Sequence, residues 1–462
     1  MNPDAKSGMI EKFVSWRRRH VSDSVTLMLA AALIGCAAGS GAFLLKFLIG
    51  HLTDFFTARF GATGPYWPLL VLPGAGIILA AGYQRYLLHD NLTHGVGRLG
   101  DDLRHRRYAL PAHLMYGPTI ASTITLGFGG SAGAEGPIAY TGAAMGSNLG
   151  RWLGLSPGML RILIGCGAGA GIAGIFKAPI GGALFTLEVM KMSLGTVSVL
   201  ALVVAAVCGS LTCMAFTDFT PDIVYFPAQP FEAQWIGWLV ALGVFCGIYS
   251  VYYSAVLEKM QRVFARLNSR SPWLMNVAGG LILGLAVFLF PILYGEGYST
   301  VTRIVNGDFH SLLQGSVFSG AAATPALLLT AMCGVLLLKC WATVASNSAG
   351  GVAGDFAPTI FAGAIAGYVF ATAANMFMGA SLPVGVFALM ATAGVFSGAI
   401  HAPLMGMFLT AEFAGAYHYF PGLALVAVTA YITMKVLTPH SLHITALHDD
   451  IDALLHIGRH KQ

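Results

Sequence analysis

Long apolar stretches alternate with short polar or glycine-rich breaks along most of the chain. They lie at 24–45, 67–84, 115–128, 138–150, 160–174, 178–190, 195–216, 234–256, 273–293, 325–345, 359–379, 383–397, 402–417 and 421–437. A helix needs about 20 apolar residues to cross the hydrocarbon of a bilayer, and several of these stretches are shorter. Short segments interrupted by glycine or proline are typical of broken helices around a site near the middle of the membrane. The pattern therefore predicts an all-α polytopic membrane protein.

Composition agrees with a membrane setting. The chain has 462 residues, of which 56% are hydrophobic and 10% are charged, whereas a soluble globular protein carries about 25% charged residues. The formal net charge of +5 is too small to indicate a nucleic-acid partner. Basic residues cluster at 17–19 and 104–107, and the positive-inside bias predicts that both regions are cytoplasmic. The seven cysteines lie in apolar segments without metal-ligand spacing, so neither a metal nor a cofactor is expected.

An internal repeat runs through the chain. Residues 174–189 read GIFKAPIGGALFTLEV, and residues 398–413 read GAIHAPLMGMFLTAEF. Upstream of these blocks, GPIAYTGAAMG at 136–146 pairs with APTIFAGAIAG at 357–367. Two matched blocks in the same order predict two structural halves, each with a glycine-rich break followed by a helix that begins near a proline.

The repeat suggests a division of the chain into four segments. They are a cytoplasmic N-terminal basic helix at 1–23, membrane repeats at 24–260 and 261–437, and a cytoplasmic C-terminal tail at 438–462. The glutamates that end the repeated blocks, Glu188 and Glu412, occupy equivalent positions. This symmetry favours a structural role, in which each carboxylate accepts hydrogen bonds from exposed backbone N–H groups.

Glu135 is the strongest candidate for a functional residue. It lies in the glycine-rich break GSAGAEGP at 130–137. An ionisable group at bilayer depth is costly and is usually retained because it faces a cavity, a pathway or a partner. Flanking glycines let backbone N–H groups turn toward that cavity, and a helix that starts at Pro137 would add its positive dipole end. The arrangement predicts an anion site near the membrane midplane, with a carboxylate that competes for it.

These motifs together resemble those of the CLC family of chloride channels and proton/chloride exchangers. The block at 130–137 resembles the family's GxxGxEGP, 174–189 resembles GxFxxPxGGxLFxxE, and the GDFAP block that begins at Gly354 resembles GxFxP. The resemblance covers nearly all of residues 24–445. It implies the CLC fold, with two inverted-topology repeats whose broken helices meet at a midplane anion site. It also implies a homodimer with one pore in each subunit, embedded in membrane lipid.

The resemblance also assigns roles to individual residues. It implies that Glu135 is the gate and that the backbone amides of Gly136, Asp355, Phe356 and Ala357 line the anion sites. No cofactor is implied, because chloride or another small anion is the substrate.

Four positions depart from the family pattern. The loop that carries a chloride-binding serine in the family aligns with Gly95-Val96-Gly97, where Val96 offers no hydrogen-bond donor. The family's inner tyrosine aligns with His443, and the inner proton glutamate of the exchangers aligns with Val189. Asp355 is an additional acid in the third block, which either caps a helix or lies near the anion. These departures put proton coupling and anion selectivity in question, so the candidates for a proton path are Glu135, Asp355 and His443, with Val189 at the position of the lost glutamate.

The sequence favours passive or loosely proton-coupled chloride transport across a bacterial inner membrane. Three alternatives remain: a strict proton/chloride antiporter with a rerouted proton path, a transporter of another anion such as fluoride, and an intramembrane serine hydrolase. The last rests on a GxSxG match at Ser131, but the histidine in an apolar region, His401, occupies the repeat position of Lys177. A catalytic base is therefore poorly supported, and the protein is not expected to be an enzyme.

Overall fold

The structure is a computed structural model that describes residues 14–60, 67–93, 95–192, 195–219, 230–309, 311–318 and 324–438. Within these ranges the chain is almost entirely helical and contains no β-strand. Eight helices in the described part of the chain are long and apolar enough to cross a membrane: Asp23–Thr57, Pro157–Phe176, Thr196–Phe216, Ala233–Arg270, Pro272–Leu289, Pro325–Ser348, Phe356–Met378 and Tyr417–Leu437. The prediction of an all-α polytopic membrane protein is confirmed.

The α-helices from Asp23 onward fall into two consecutive series of eight. The first series is α1 (Asp23–Phe60), α2 (Pro68–Gly82), α3 (Gly95–Arg104), α4 (Gly117–Gly127), α5 (Glu135–Trp152), α6 (Pro157–Phe176), α7 (Pro179–Leu184) and α8 (Thr196–Phe216). The second series is α9 (Ile236–Arg270), α10 (Pro272–Leu289), α11 (Tyr298–Val305), α12 (Pro325–Ser348), α13 (Phe356–Met378), α14 (Val384–Ile400), α15 (Pro403–Phe413) and α16 (Phe420–Leu437).

Helix packing repeats between the two series. Helix α5 packs along α6 as α13 packs along α14, and α1 contacts α8 as α9 contacts α16. The predicted segment boundary at residue 260 falls inside α9, which is continuous from Ile236 to Arg270. The packing correspondence places the junction between α8 and α9, because α9 takes the position in the second series that α1 takes in the first.

The local backbone repeats as well. Helix α6 ends at Lys177 with φ 55°, and α14 ends at the equivalent His401 with φ 62°. Both residues adopt the left-handed conformation that commonly terminates a helix. The Ala-Pro step that follows each of them then starts a new helix, α7 or α15, because proline is well suited to the first helical turn.

Each half caps a helix of the other half through one glutamate. Glu188 accepts hydrogen bonds from the backbone N–H groups of Leu404 and Met405, at 3.1 and 2.7 Å. Reciprocally, Glu412 accepts from Ile180 and Gly181, at 3.0 and 2.7 Å. The first N–H groups of a helix have no partner within it, so the carboxylates satisfy donors that the membrane cannot. The predicted structural role of both glutamates is confirmed, and the reciprocity reflects a two-fold relation between the halves.

Small residues bring α5 and α6 into close contact. A Cβ added at Gly142 would lie 2.1 Å from the carbonyl oxygen of Gly167, and one at Gly146 would lie 2.2 Å from that of Leu163. No side chain fits at such distances. Glycines spaced by four residues thus allow the two backbones to approach directly, as is common between membrane helices, and this contact fixes α5 behind the break that precedes it.

Candidate anion site

The glycine-rich breaks of the two halves meet at the centre of the molecule. Gly133 and Gly354 form an isolated antiparallel pair, in which each backbone N–H donates to the other's carbonyl oxygen, at 2.9 and 2.6 Å. Helix α5 begins two residues after Gly133, and α13 begins two residues after Gly354. The pair therefore brings two helix N-termini, with their unpaired N–H groups and positive dipole ends, to one place.

Glu135 begins α5 at this junction and is completely buried. Its Oε1 accepts a hydrogen bond of 2.6 Å from the hydroxyl of Tyr298, a length typical of a hydroxyl donating to a carboxylate. Its Oε2 is buried without a hydrogen-bond partner in the described part of the chain. A Cβ at Gly133 would lie 1.9 Å from this Oε2, so only glycine leaves room for the carboxylate.

Tyr298 is itself held by aromatic and cationic neighbours. The Lys46 ammonium lies 5.2 Å from the centre of the Tyr298 ring, and Phe176 packs edge-to-face against the ring at 6.3 Å. Lys46 also interacts electrostatically with Glu135. Close by, the Glu296 carboxylate accepts from the backbone N–H of Ala134 at 3.2 Å. The segment from Glu296 to Tyr298 therefore contacts the Glu135 break at two points.

Ser131 anchors the beginning of the same break. Its hydroxyl accepts from the Lys339 ammonium at 2.8 Å, and its backbone N–H donates to the Ser346 hydroxyl at 2.9 Å. Ser131, Lys339 and Ser346 all have no exposed surface. A serine nucleophile must be reachable by substrate and paired with a base. Ser131 is inaccessible here, and Lys339 rather than a histidine contacts it, so the geometry gives no support to a serine hydrolase.

Sequence reasoning missed Lys339, Glu296 and Tyr298. Lys339 carries a signal that could have revealed it, because it is a single cation within the apolar stretch 325–345, and a charge at bilayer depth indicates function. Glu296 lies in the short polar segment before α11 and Tyr298 at the start of that helix, where acids and tyrosines are ordinary. Only the fold brings that segment to Glu135.

The residues predicted to bind the anion from the first half lie at α3 and α5. A Cβ at Gly136 would lie 3.3 Å from Gly354 Cα and 3.6 Å from Val96 Cγ2, so Val96 borders the break. Gly95 faces the ring of Tyr140. Gly97 has open space where a Cβ would be, and it lines a polar cavity of about 640 Å³ together with Arg98. The structure thus brings Val96 to Gly136.

The second-half residues surround the start of α13. Asp355 stands at the N-cap position of α13 but makes no capping hydrogen bond with its side chain. It accepts instead from the Asn347 amide at 2.7 Å. Phe356 is nearly buried and packs edge-to-face against Phe185 and Phe396, at 5.7 and 5.2 Å. Ala357 borders Gly133, because a Cβ added at Gly133 would lie 2.9 Å from the Cβ of Ala357.

Val189 and His443, two of the four positions that depart from the family pattern, are not among the residues described at the Gly133–Gly354 pair. Val189 ends a π-helical turn that follows α7 and is half-buried. It is flanked there by Glu188, whose carboxylate is already engaged with α15. His443 lies outside the residues that the structure describes.

A polar cavity of about 700 Å³ opens where the two halves meet near the ends of α2 and α12. It is lined by Gln84, Arg85, Asn276, Ser348 and Gly350, among others. Asn276 is fully buried, and neither of its side-chain polar atoms has a hydrogen-bond partner among the described residues. Such a cavity can hold water or ions beside the break that contains Gly354.

Asp90 links the polar segments at the edge of this cavity. It binds Arg98 through two contacts of 2.8 and 3.3 Å and His113 through one of 2.9 Å. Partial burial by itself would raise the pKa of Asp90, but the hydrogen bonds from Arg98 and His113 outweigh it and lower the pKa. The carboxylate therefore stays charged and holds α3 against the segment before it.

The arrangement as a whole can bind an anion without a full positive charge in direct contact with it. Two helix N-termini and two glycine-rich backbones supply N–H donors, and Glu135 supplies a competing carboxylate. Binding by dipoles alone is weak enough to permit passage.

Comparison with known proteins identifies the family. The sequence model of the family described as voltage gated chloride channel matches residues 75–435, more than three quarters of the chain. This chain belongs to the CLC family. CLC-family anion transport is accordingly its general activity.

Individual relatives bear different names. The chloride channel protein ClcB-like of Ralstonia nicotianae is 29% identical to this chain, over 93% of this chain and 99% of its own length. The H(+)/Cl(-) exchange transporter ClcA of Vibrio vulnificus is 25% identical, over 96% of this chain and 92% of its own length. CLC members thus include proteins named as channels and proteins named as exchangers.

Two solved structures share the fold. A slow cyanobacterial Cl-/H+ antiporter superposes with a TM-score of 0.77 at 20% identity, over 92% of this chain and 98% of its own. A CLC-type fluoride/proton antiporter superposes with a TM-score of 0.72 at 25% identity, over 89% and 95%. The predicted CLC fold, with its inverted repeats and broken helices, is confirmed.

Proposed function

We propose that the protein conducts chloride through a pore in each subunit of a homodimer, that Glu135 is the gate, and that the flow is passive or loosely coupled to protons. The observation that carries the proposal is the position of Glu135. Its buried carboxylate begins α5 beside the Gly133–Gly354 pair, where the two halves present helix N-termini.

The gate works by competition between two anions. When ionised, the Glu135 carboxylate occupies a position that attracts negative charge and excludes chloride. When a proton neutralises it, the side chain loses its attraction for the helix ends and leaves the position to chloride. Acidification therefore speeds transport. The backbone amides of Gly136, Asp355, Phe356 and Ala357 then bind the passing ion.

The proposal of loose coupling rests on the inner half of the path. A proton that crosses needs titratable groups or ordered water, and Val189 provides neither. Asp355 accepts a hydrogen bond from Asn347, which favours a structural role for its carboxylate. His443 would be the remaining candidate, since the pKa of an unperturbed histidine lies near neutrality.

Strict proton/chloride exchange is one alternative, and the name of the exchange transporter ClcA of Vibrio vulnificus supports it. Fluoride transport is a second alternative, and a specific contact favours it. Val96 borders Gly136 where a serine hydroxyl would otherwise be expected to bind chloride. We place the protein in the bacterial inner membrane with both termini cytoplasmic.

The test records chloride and proton fluxes together from proteoliposomes, with wild-type protein and Glu135→Gln. The glutamine mimics the neutral gate, so the variant should pass chloride at a rate independent of pH. Glu258→Gln serves as the control, because Glu258 is exposed on α9, where it pairs with Arg262. A wild-type pH profile in Glu135→Gln would exclude the gate.

A further inference from the structure

Lys339 is a buried lysine in the middle of a membrane-spanning helix. It belongs to α12 and has no exposed surface. Its ammonium donates to the Ser131 hydroxyl at 2.8 Å and lies 4.7 Å from the centre of the Phe361 ring. A charge at this depth is costly unless opposite charges and donors or acceptors compensate for it. A hydroxyl and an aromatic face do not carry a negative charge.

The compensating charges come from the gate region. Lys339 interacts electrostatically with Glu135 and with Glu296. Ser131, which accepts the hydrogen bond from Lys339, lies four residues before Glu135 in the same glycine-rich break. Phe361, which lies beneath the ammonium, also contacts Gly297: a Cβ there would lie 2.4 Å from the ring. Lys339 is thus joined to both segments that meet at the gate.

We propose that Lys339 is a positioning residue whose charge sets the proton affinity of Glu135, and with it the pH at which the gate opens. The inference rests on the proposed role of Glu135 as the gate. Four charged or titratable groups face the Glu135 break: Lys46 of α1, Glu296 before α11, Tyr298 at its start and Lys339 of α12.

The direction of the effect follows from the signs of these groups. Lys339, like Lys46, favours the ionised carboxylate, whereas Glu296 opposes it. Removing the Lys339 charge leaves Glu296 less compensated and Glu135 easier to protonate. The gate would then open at higher pH. A charge in a low-dielectric site commonly moves a neighbour's titration by one unit or more, so we expect the midpoint of acid activation to rise by about one pH unit or more, a tenfold change in proton affinity.

The test uses two neutral variants and one that keeps the charge. Lys339→Gln retains a hydrogen-bond donor for Ser131, and Lys339→Met retains only the volume. Lys339→Arg retains the charge. Chloride efflux from proteoliposomes is measured between pH 4 and pH 8, which brackets the ordinary titration of carboxyl groups and histidine. We expect the midpoint to rise in both neutral variants and to remain near the wild-type value in Lys339→Arg.

A second set of measurements separates the possible causes. In a Glu135→Gln background, Lys339→Gln should cause no further change in the pH profile, because the group through which Lys339 acts is gone. If Lys339→Gln reduced chloride flux equally in the wild-type and the Glu135→Gln backgrounds, Lys339 would attract the anion directly. That result would overturn the inference. A wild-type midpoint in either folded neutral variant would overturn it too. If Glu135→Gln alone kept the wild-type profile, the gate proposal would fail instead.

Carboxyl infrared absorption provides a readout that does not depend on flux. The Glu135 C=O band, identified by its loss in Glu135→Gln, should appear at higher pH in Lys339→Gln than in the wild type. An unchanged titration of this band would refute the inference even if transport had changed.

Discussion

Tyr298 should help to hold the gate closed through its hydrogen bond to Glu135. Its hydroxyl donates to Glu135 Oε1 at 2.6 Å, and Tyr298→Phe removes the donor while keeping the ring against Phe176. A hydrogen bond to a charged group contributes about 1.5–3 kcal/mol. Since one pH unit corresponds to about 1.36 kcal/mol, its loss should raise the midpoint of acid activation by about 1–2 pH units.

The direction is fixed because the bond stabilises the ionised carboxylate. Without it, Glu135 binds a proton at higher pH, and chloride efflux at neutral pH becomes faster. Efflux from proteoliposomes at a series of pH values measures both effects. Tyr294→Phe is a matched control, because Tyr294 lies in the same segment but donates to the backbone carbonyl of Gly127 at 3.0 Å. An unshifted midpoint in Tyr298→Phe, or an equal shift in Tyr294→Phe, would refute the reasoning.

Three further predictions concern selectivity and stability. Val96→Ser introduces a donor beside Gly136 and should change the chloride/fluoride and chloride/nitrate preference in a flux competition assay; an unchanged preference would make Val96 a packing residue only. Glu188→Gln should lower the melting temperature in detergent, because the carboxylate accepts from two backbone donors and the substitution weakens these charge-assisted bonds by about 1–3 kcal/mol in total. Glu412→Gln should lower the melting temperature by a similar amount. A large difference between the two variants would contradict the two-fold relation. Because the folded pKa of Asp90 lies below its unfolded value, its stabilisation is complete above the unfolded pKa and is lost as the pH falls through the folded pKa. Asp90→Asn should therefore be less stable than the wild type at neutral pH and equally stable in acid, and a constant difference across pH would count against this.

Much of the fold could be predicted from the sequence because the repeat preserves residue types at matching positions. The Ala-Pro steps and the pair Glu188 and Glu412 occupy equivalent places, and symmetry alone indicated their structural role. The boundary near residue 260 was harder to predict. The polar residues that follow Val256 form the last turns of α9 rather than a linker, and a long helix whose end leaves the membrane has the same composition as a loop.

The site was only partly predictable. Glu135 could be found because a carboxylate in a glycine-rich apolar setting is unusual, and Lys339 could have been found by the same criterion. Tyr298 and the Gly133–Gly354 pair could not. The contact between Tyr298 and Glu135 joins residues more than 160 positions apart in the sequence, and the Gly133–Gly354 pair joins residues more than 220 apart. Nothing in either local sequence specifies its partner. The direction of a side chain could not be predicted from the sequence either. Asp355, for example, accepts a hydrogen bond from Asn347 instead of capping α13.

The central claim is that one carboxylate, Glu135, gates anion flow. The most direct measurement follows chloride efflux and proton movement at once in proteoliposomes that carry a chloride gradient and no proton gradient. The account predicts acid-activated chloride efflux with little uphill proton movement in the wild type, and pH-independent chloride efflux in Glu135→Gln. Acid activation that persists in Glu135→Gln would contradict the gate. Sustained uphill proton pumping that Glu135→Gln abolishes would contradict passive flow and make the protein a strict exchanger.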